Sequence, residues 1–78
     1  MLRINIEKIL KHSLAENLHQ LAERIGFRHG NNIYKYSNPE NVKMLKLTTL
    51  SAIAKEIADK KGISPLGVTL GEIFDWKK

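Results

Sequence analysis

Apolar residues recur at helical spacing along most of this chain, and the residues that interrupt them are helix caps and stops. Asn5 suits an N-cap, and Ile6, Ile9 and Leu10 follow at i, i+3, i+4, with Leu14 further along the same face. Leu2 and Ile4 precede that cap and either pack beneath the fold or extend as a short strand. The second segment is the clearest. Asn17 caps it, Gln20 stands at capping-box spacing, and Leu18, Leu21, Ala22 and Ile25 form an i, i+3, i+4, i+7 stripe. Gly26 follows at once and accepts the left-handed backbone that stops a helix. This predicts a helix over Leu18 to Ile25.

Phe27 then plugs the turn into the core. A third helix is predicted over Asn31 to Ser37, with Ile33 and Tyr36 inward and Asn31, Asn32, Tyr34 and Lys35 outward or partly outward. Gly30 and the two Asn weaken its intrinsic helicity, so it depends on tertiary support. Residues 37–41, Ser-Asn-Pro-Glu-Asn, read as a loop. A long helix follows over about Thr49 to Lys60, with Leu50, Ile53, Ala54, Ile57 and Ala58 on one face, Leu47 joining it, and Gly62 as its stop. Ser64 can cap a short turn with Pro65 at its first position. Thr69 and Glu72 are spaced as a second capping box, which predicts a last helix over Leu70 to Asp75 with Ile73, Phe74 and Trp76 as its apolar mass. The expected architecture is all-α: four to five short helices around one core, a single domain over residues 1–78, with no convincing strand pair.

A domain of 78 residues has a small core, and such domains often gain stability from a second subunit. There is no Cys, so neither a disulfide nor Cys-ligated zinc can staple it. The His residues lack clustered acidic or thiol partners, so no metal and no cofactor is expected. No apolar run approaches the ~20 residues that span a bilayer, and charged residues interrupt the start of the chain. A cytoplasmic protein with no membrane partner is expected.

The formal charge is +5, and it is unevenly placed. Residues 24–46 hold five basic residues (Arg24, Arg28, Lys35, Lys43, Lys46) against Glu40, a net +4. The rest of the chain holds eight basic against seven acidic residues, a net +1. Such a patch suits a polyanion, although a solvated basic face carries the same composition.

A capped helix, a Gly-centred turn and a second helix are the parts of a helix-turn-helix, in which the second helix lies in the major groove of DNA. That helix must present donors and acceptors. Asn pairs in two places with adenine and Arg with guanine, which makes Arg28, Asn31 and Asn32 the candidate base contacts. His29, Tyr34, Lys35, Lys43 and Lys46, with Asn17 and His19 at the start of the preceding helix, are candidates for the phosphate and sugar backbone. Asn31 and Asn32 equally suit a capping role, Tyr36 reads as core, and His12 and His19 also read as ordinary exposed helix residues.

The stretches INIEKIL, NLHQLAERIGF, IYKYSNPEN, LTTLSAIAKEI and TLGEIF resemble the Cro/C1-type (XRE) helix-turn-helix domains of phage repressors and small bacterial regulators. The resemblance covers about residues 4 to 74, and its most typical feature is Leu21-Ala22 followed by Gly26 and Phe27. It implies a lambda-repressor-like, five-helix DNA-binding domain acting as a homodimer on a two-fold operator, in a bacterial or phage-encoded regulator associated with the nucleoid. Three departures stand out. The spacing from Gly26 to Ile33 is one residue longer than the common pattern, with Gly30 the obvious place to absorb it. Leu18 stands where the family often has a backbone-clamping Gln. The segment Asn38 to Lys46 is long and rich in Lys.

The expected function is therefore a sequence-specific, repressor-like transcriptional regulator binding double-stranded DNA. The alternative is a protein-interaction module, such as an antitoxin or anti-repressor, that has kept the fold and uses its C-terminal apolar residues on a protein partner. An enzyme is not expected: no Ser-His-Asp or paired-carboxylate pattern converges, and the chain has little room for a substrate pocket. Trp76, Phe74 and Val68 are the residues expected to meet a second copy.

Overall fold

The computed structural model describes residues 1–78. The chain runs β1 (Leu2–Ile4), α1 (Ile6–His12), α2 (Leu18–Arg24) and α3 (Asn31–Tyr34), which tightens into a 3-10 turn over Lys35–Ser37. Where a loop is expected from residue 37, a second 3-10 segment over Pro39–Met44, capped by Asn38, leads into α4 (Leu47–Lys61), which starts two residues before the expected Thr49. Single 3-10 turns at Pro65–Gly67 and Leu70–Glu72 precede β2 (Phe74–Trp76). The protein is a small, predominantly helical domain closed by a two-stranded sheet. No helix is long and apolar enough to cross a membrane.

Each helix starts and stops for a local reason. The Asn5 side chain accepts from the Lys8 N–H at 3.1 Å, and that of Asn17 accepts from the Gln20 N–H at 2.8 Å. The Gln20 side chain reaches back one residue beyond the cap, accepting from the Glu16 N–H at 2.7 Å. At the far end of α2, Gly26 takes φ +91°. There the Phe27 N–H donates to the Ala22 carbonyl at 2.8 Å and the Gly26 N–H to that of Glu23 at 3.2 Å. This is the paired bonding of a Schellman stop, with the apolar Phe27 folded back on the core. Gly62, at φ +72°, ends α4 in the same left-handed manner, and the Ile63 N–H donates to Ala58 at 3.1 Å.

The core is one cluster drawn from every principal element: Ile4 of β1, Ile9 of α1, Leu21 and Ala22 of α2, Ile33 of α3, Tyr36 after it, Ile53 and Ile57 of α4, and Ile73 and Phe74 at the end. These are the inward positions that the helical spacing predicts. Three of the predicted apolar positions lie elsewhere, Trp76 at the end of the chain among them. Helix α1 stops at His12, and Ser13 is extended, so Leu14 leaves the face of Ile6 and Ile9 and stands exposed. Leu47 is the first residue of α4 and is 76% exposed, a turn short of the stripe that begins at Leu50.

The expected all-α architecture is corrected at the chain's two ends. Leu2 pairs with Trp76, Arg3 with Asp75 and Ile4 with Phe74 in an antiparallel ladder. The ladder continues outward as the Lys77 N–H donates to the Met1 carbonyl at 2.7 Å, and inward as the Asn5 N–H donates to Ile73 at 2.9 Å. The predicted helix over Leu70 to Asp75 is a single 3-10 turn, although its cap forms: the Glu72 carboxylate accepts from the Thr69 hydroxyl at 3.2 Å. A helix that short returns little hydrogen bonding for its nucleation cost. The alternation of Phe74, Asp75 and Trp76 instead suits a strand with Phe74 buried beside Ile4 and Asp75 paired to Arg3 at 3.3 Å on the opposite face.

Side-chain pairs reinforce the helical packing. Arg24, at the end of α2, donates through Nε to Glu56 on α4, whose carboxylate is only 6% exposed as a residue. Arg24 is thereby withdrawn from the basic segment predicted over residues 24–46. Lys61 and Glu72 pair at 2.6 Å across the end of α4. The Glu72 carboxyl is held below its ordinary value chiefly by that ammonium, and Asp75 is held below its own chiefly by the Arg3 guanidinium.

Candidate nucleic-acid interface

Six residues of the predicted interface, Arg28, His29, Asn31, Asn32, Tyr34 and Lys35, lie within one eight-residue stretch, and all six are exposed. Ile33 and Tyr36, between and after them, are buried. That alternation follows from a short helix anchored on one side only. The buried Ile33 and Tyr36 pin it to the core, and its remaining residues face solvent.

The stretch from Gly26 to α3 has a defined hydrogen-bonded path. Helical bonding begins early: the Asn32 N–H donates to the His29 carbonyl at 3.1 Å, and the Ile33 and Tyr34 N–H groups both donate to Gly30 at 3.0 and 2.9 Å. The first turn is thus 3-10 in character, and the helical run covers Asn31 to Ser37, with His29 and Gly30 accepting its first N–H groups. Gly30 is its N-cap and contributes no side chain. Beneath it sits Leu18, whose Cγ lies 2.7 Å from the place a Gly30 Cβ would occupy.

The use made of asparagine separates two groups of residues. Asn5, Asn17 and Asn38 each accept a backbone N–H through their side chains, from Lys8, Gln20 and Glu40 respectively. Asn41 donates through Nδ2 to the Lys35 carbonyl at 2.9 Å and ties the Pro39–Met44 segment to the end of α3. Asn31 and Asn32 do neither: α3 has no side-chain cap, and both residues stand exposed with their amides unengaged. The capping role open to them from sequence is not the one they take.

The remaining predicted contacts are placed less uniformly. Asn17 is spent on its cap. His19 meets the Glu23 carboxylate at 2.6 Å, so an acid stands beside it on the surface of α2. Lys43 and Lys46 are exposed, on the 3-10 segment and on the residue before α4. That segment is held by Val42 and Leu45 against the core, which gives the Lys-rich stretch a fixed path. Lys35 Nζ lies 5.1 Å from the centre of the Tyr36 ring, a cation–π distance that steadies its ammonium at the surface.

No ion pair engages Arg28, Lys35, Lys43 or Lys46, whereas Arg24 is neutralised by Glu56. Two cations that the sequence does not associate with this surface stand close to it. Arg3 and Lys77 line a shallow cleft with Tyr34 and Lys35. Only the pairing of the two chain ends brings them there, and no motif in either end announces it.

No family model matches the chain, and no curated protein or solved structure is similar enough to it to indicate a relationship.

Proposed function

We propose that this protein is a sequence-specific, repressor-like regulator that binds double-stranded DNA with a lambda-repressor-like helix-turn-helix, α2 and a recognition segment over about residues 29–37. The observation that carries this reading is the free pair Asn31 and Asn32: in a chain that uses its other four Asn to satisfy its own backbone, these two are displayed beside Arg28 on an element whose buried side chains are Ile33 and Tyr36. An exposed Asn amide offers the donor and acceptor that match adenine N7 and N6, and an unpaired Arg matches guanine.

The mechanism follows from the charges. Cations without an ion-pair partner, Arg28, Lys35, Lys43 and Lys46, attract the duplex and contact phosphates, which sets register. The N-terminal part of the α3 run then enters the major groove, where helix starts read base edges. Selection of bound sites from a random duplex pool tests this reading. Enrichment of a defined motif is expected, and Asn32→Ala or Arg28→Ala should weaken binding to it by about 1–3 kcal/mol while leaving random duplex affinity nearly unchanged for Asn32→Ala. Failure to enrich any sequence would remove the reading.

A homodimer on a two-fold site would set two such helices about 34 Å apart. Of the residues expected to meet a second copy, Phe74 is buried and Val68 packs against the core, which leaves Trp76, 67% exposed, across the sheet from Leu2. Sedimentation of Trp76→Ala beside the parent, with and without duplex, tests whether that face associates.

A second reading is supported by a different surface. Leu66 is 97% exposed at the tip of the Pro65–Gly67 turn, with Leu70 and Ile63 exposed nearby in the chain. Such residues suit a protein partner, as in an antitoxin or anti-repressor. Capture of a protein that Leu66→Ser abolishes, with no duplex bound at moderate salt, would favour it.

A further inference from the structure

We infer that the cleft between the end of α3 and the paired chain ends is a second seat for the phosphodiester backbone of the bound duplex, with Lys77 and Lys35 as its cationic wall. This rests on the duplex-binding reading above and extends it to residues outside the helix-turn-helix.

The cleft is an open depression of about 460 Å³. Arg3 of β1, Tyr34 and Lys35 of the α3 run, Asn38 and Asn41 of the following segment and Lys77 beyond β2 line it, and no carboxylate does. Its donors outnumber its acceptors. Lys35 and Lys77 bring ammonium groups with no ion-pair partner, and Tyr34 brings a phenol on an exposed side chain. The Asn38 Oδ1 is occupied by the Glu40 N–H, which leaves its amide N–H groups to face a ligand. Arg3 is partly committed, because one guanidinium nitrogen meets Asp75 at 3.3 Å, but its remaining N–H groups keep the charge beside the cleft. A shallow site lined by donors, with the neighbouring acid, Asp75, already paired to Arg3, fits a phosphate of an extended chain better than a small molecule that needs enclosure.

Placement favours the backbone of the same duplex. The cleft adjoins the C-terminal end of the run that begins at Asn31 and Asn32, with Arg28 just before it, so a strand leaving the groove passes toward it. A neighbouring depression of about 220 Å³ shares Arg3 and Tyr34 but includes Glu7, whose carboxylate repels phosphate and directs the strand to the Lys77 side. The base of the Lys77 side chain is fixed because its N–H and carbonyl both bond to Met1.

The test is the salt dependence of duplex binding. Each phosphate neutralised contributes about 0.9 to the slope of log affinity against log salt. Lys77→Ala and Lys35→Ala should each flatten the slope by up to about one and weaken cognate and random duplexes alike, leaving their ratio intact. Circular dichroism of Lys77→Ala should match the parent, because the sheet is held by the main chain of residue 77. An unchanged slope for Lys77→Ala, in a parent protein that binds duplex, overturns the second seat and leaves the helix-turn-helix reading standing. A parent that binds no duplex at any salt overturns both. Inorganic phosphate titrated alone separates the other source of the same group: resonance shifts at Lys35 and Lys77 on phosphate addition, with no change of duplex slope, would assign the cleft to a free anion and overturn the backbone seat.

Discussion

Leu18 and Gly30 are packed so closely that each determines the other. The Leu18 Cγ lies 2.7 Å from where a Gly30 Cβ would stand, and its Cδ2 lies 3.0 Å away. The apolar residue at the start of α2 and the glycine before α3 look unrelated in the sequence. In the fold they are one contact, with no room for a side chain on Gly30 unless Leu18 moves.

Gly30→Ala should therefore push Leu18 aside and lower stability by about 1–3 kcal/mol, the usual cost of overpacking. In a Leu18→Ala background the same change should cost clearly less, because the obstructing Cγ is gone. A double-mutant cycle by chemical denaturation measures this, and equal costs in the two backgrounds would refute the contact.

Asn residues should divide by use. Asn17→Ala removes the cap of α2 and should cost about 1 kcal/mol. Asn31→Ala and Asn32→Ala touch exposed, unbonded amides and should move stability by no more than about 0.5 kcal/mol. Denaturant midpoints of the three variants test the division, and a large loss at either Asn31 or Asn32 would assign it to structure instead of binding.

Arg24→Ala should strand the Glu56 carboxylate in the interface between α2 and α4. Removing one partner of a buried pair costs about 3–5 kcal/mol, and the partial exposure of Arg24 brings the expected loss to about 2 kcal/mol. Adding Glu56→Gln to Arg24→Ala should recover part of it. Thermal melts of the single and double variants decide the point.

Ser13 is 2% exposed and its hydroxyl has no hydrogen-bond partner. Ser13→Ala removes a buried polar group without opening a cavity, and should be neutral or raise stability by about 1 kcal/mol. A drop in melting temperature would show that the hydroxyl is satisfied.

Acid should loosen the ends of the chain first. Asp75 and Glu72 are both held below their ordinary values, by Arg3 and by Lys61. A carboxyl depressed in the fold contributes stability that is fully present above its unfolded value and is lost as pH falls through its lower, folded value. Melting temperature should thus decline as pH drops below the ordinary carboxylate range, and the decline should be shallower in Asp75→Asn/Glu72→Gln. An acid limb as steep as the parent's would show that other groups carry it.

Much of the helical framework was legible because its causes are local. Asn5 and Asn17 cap helices whose first N–H groups lie three residues away, Gly26 and Gly62 stop them, and the stripe of Leu21, Ala22, Ile53 and Ile57 needs only a helical repeat. The surface of α3 was legible for the same reason, since burial of Ile33 and Tyr36 exposes Asn31, Asn32, Tyr34 and Lys35. The chain ends misled. Thr69 and Glu72 form the cap that predicts a helix, yet the helix is not there, because a capping box signals a start and says nothing of what competes with the turns that follow.

What the amino-acid order determined alone is the caps at Asn5 and Asn17, the stops at Gly26 and Gly62 and most of the inward faces between them, where each preference is settled within about four residues of chain. Tertiary structure decided the rest. Arg3 meets Asp75 across 72 positions, Arg24 meets Glu56 across 32, and Leu18 sets the seat of Gly30. The energy of each depends on a partner that only folding delivers, so neither residue of the pair carries a readable signal by itself.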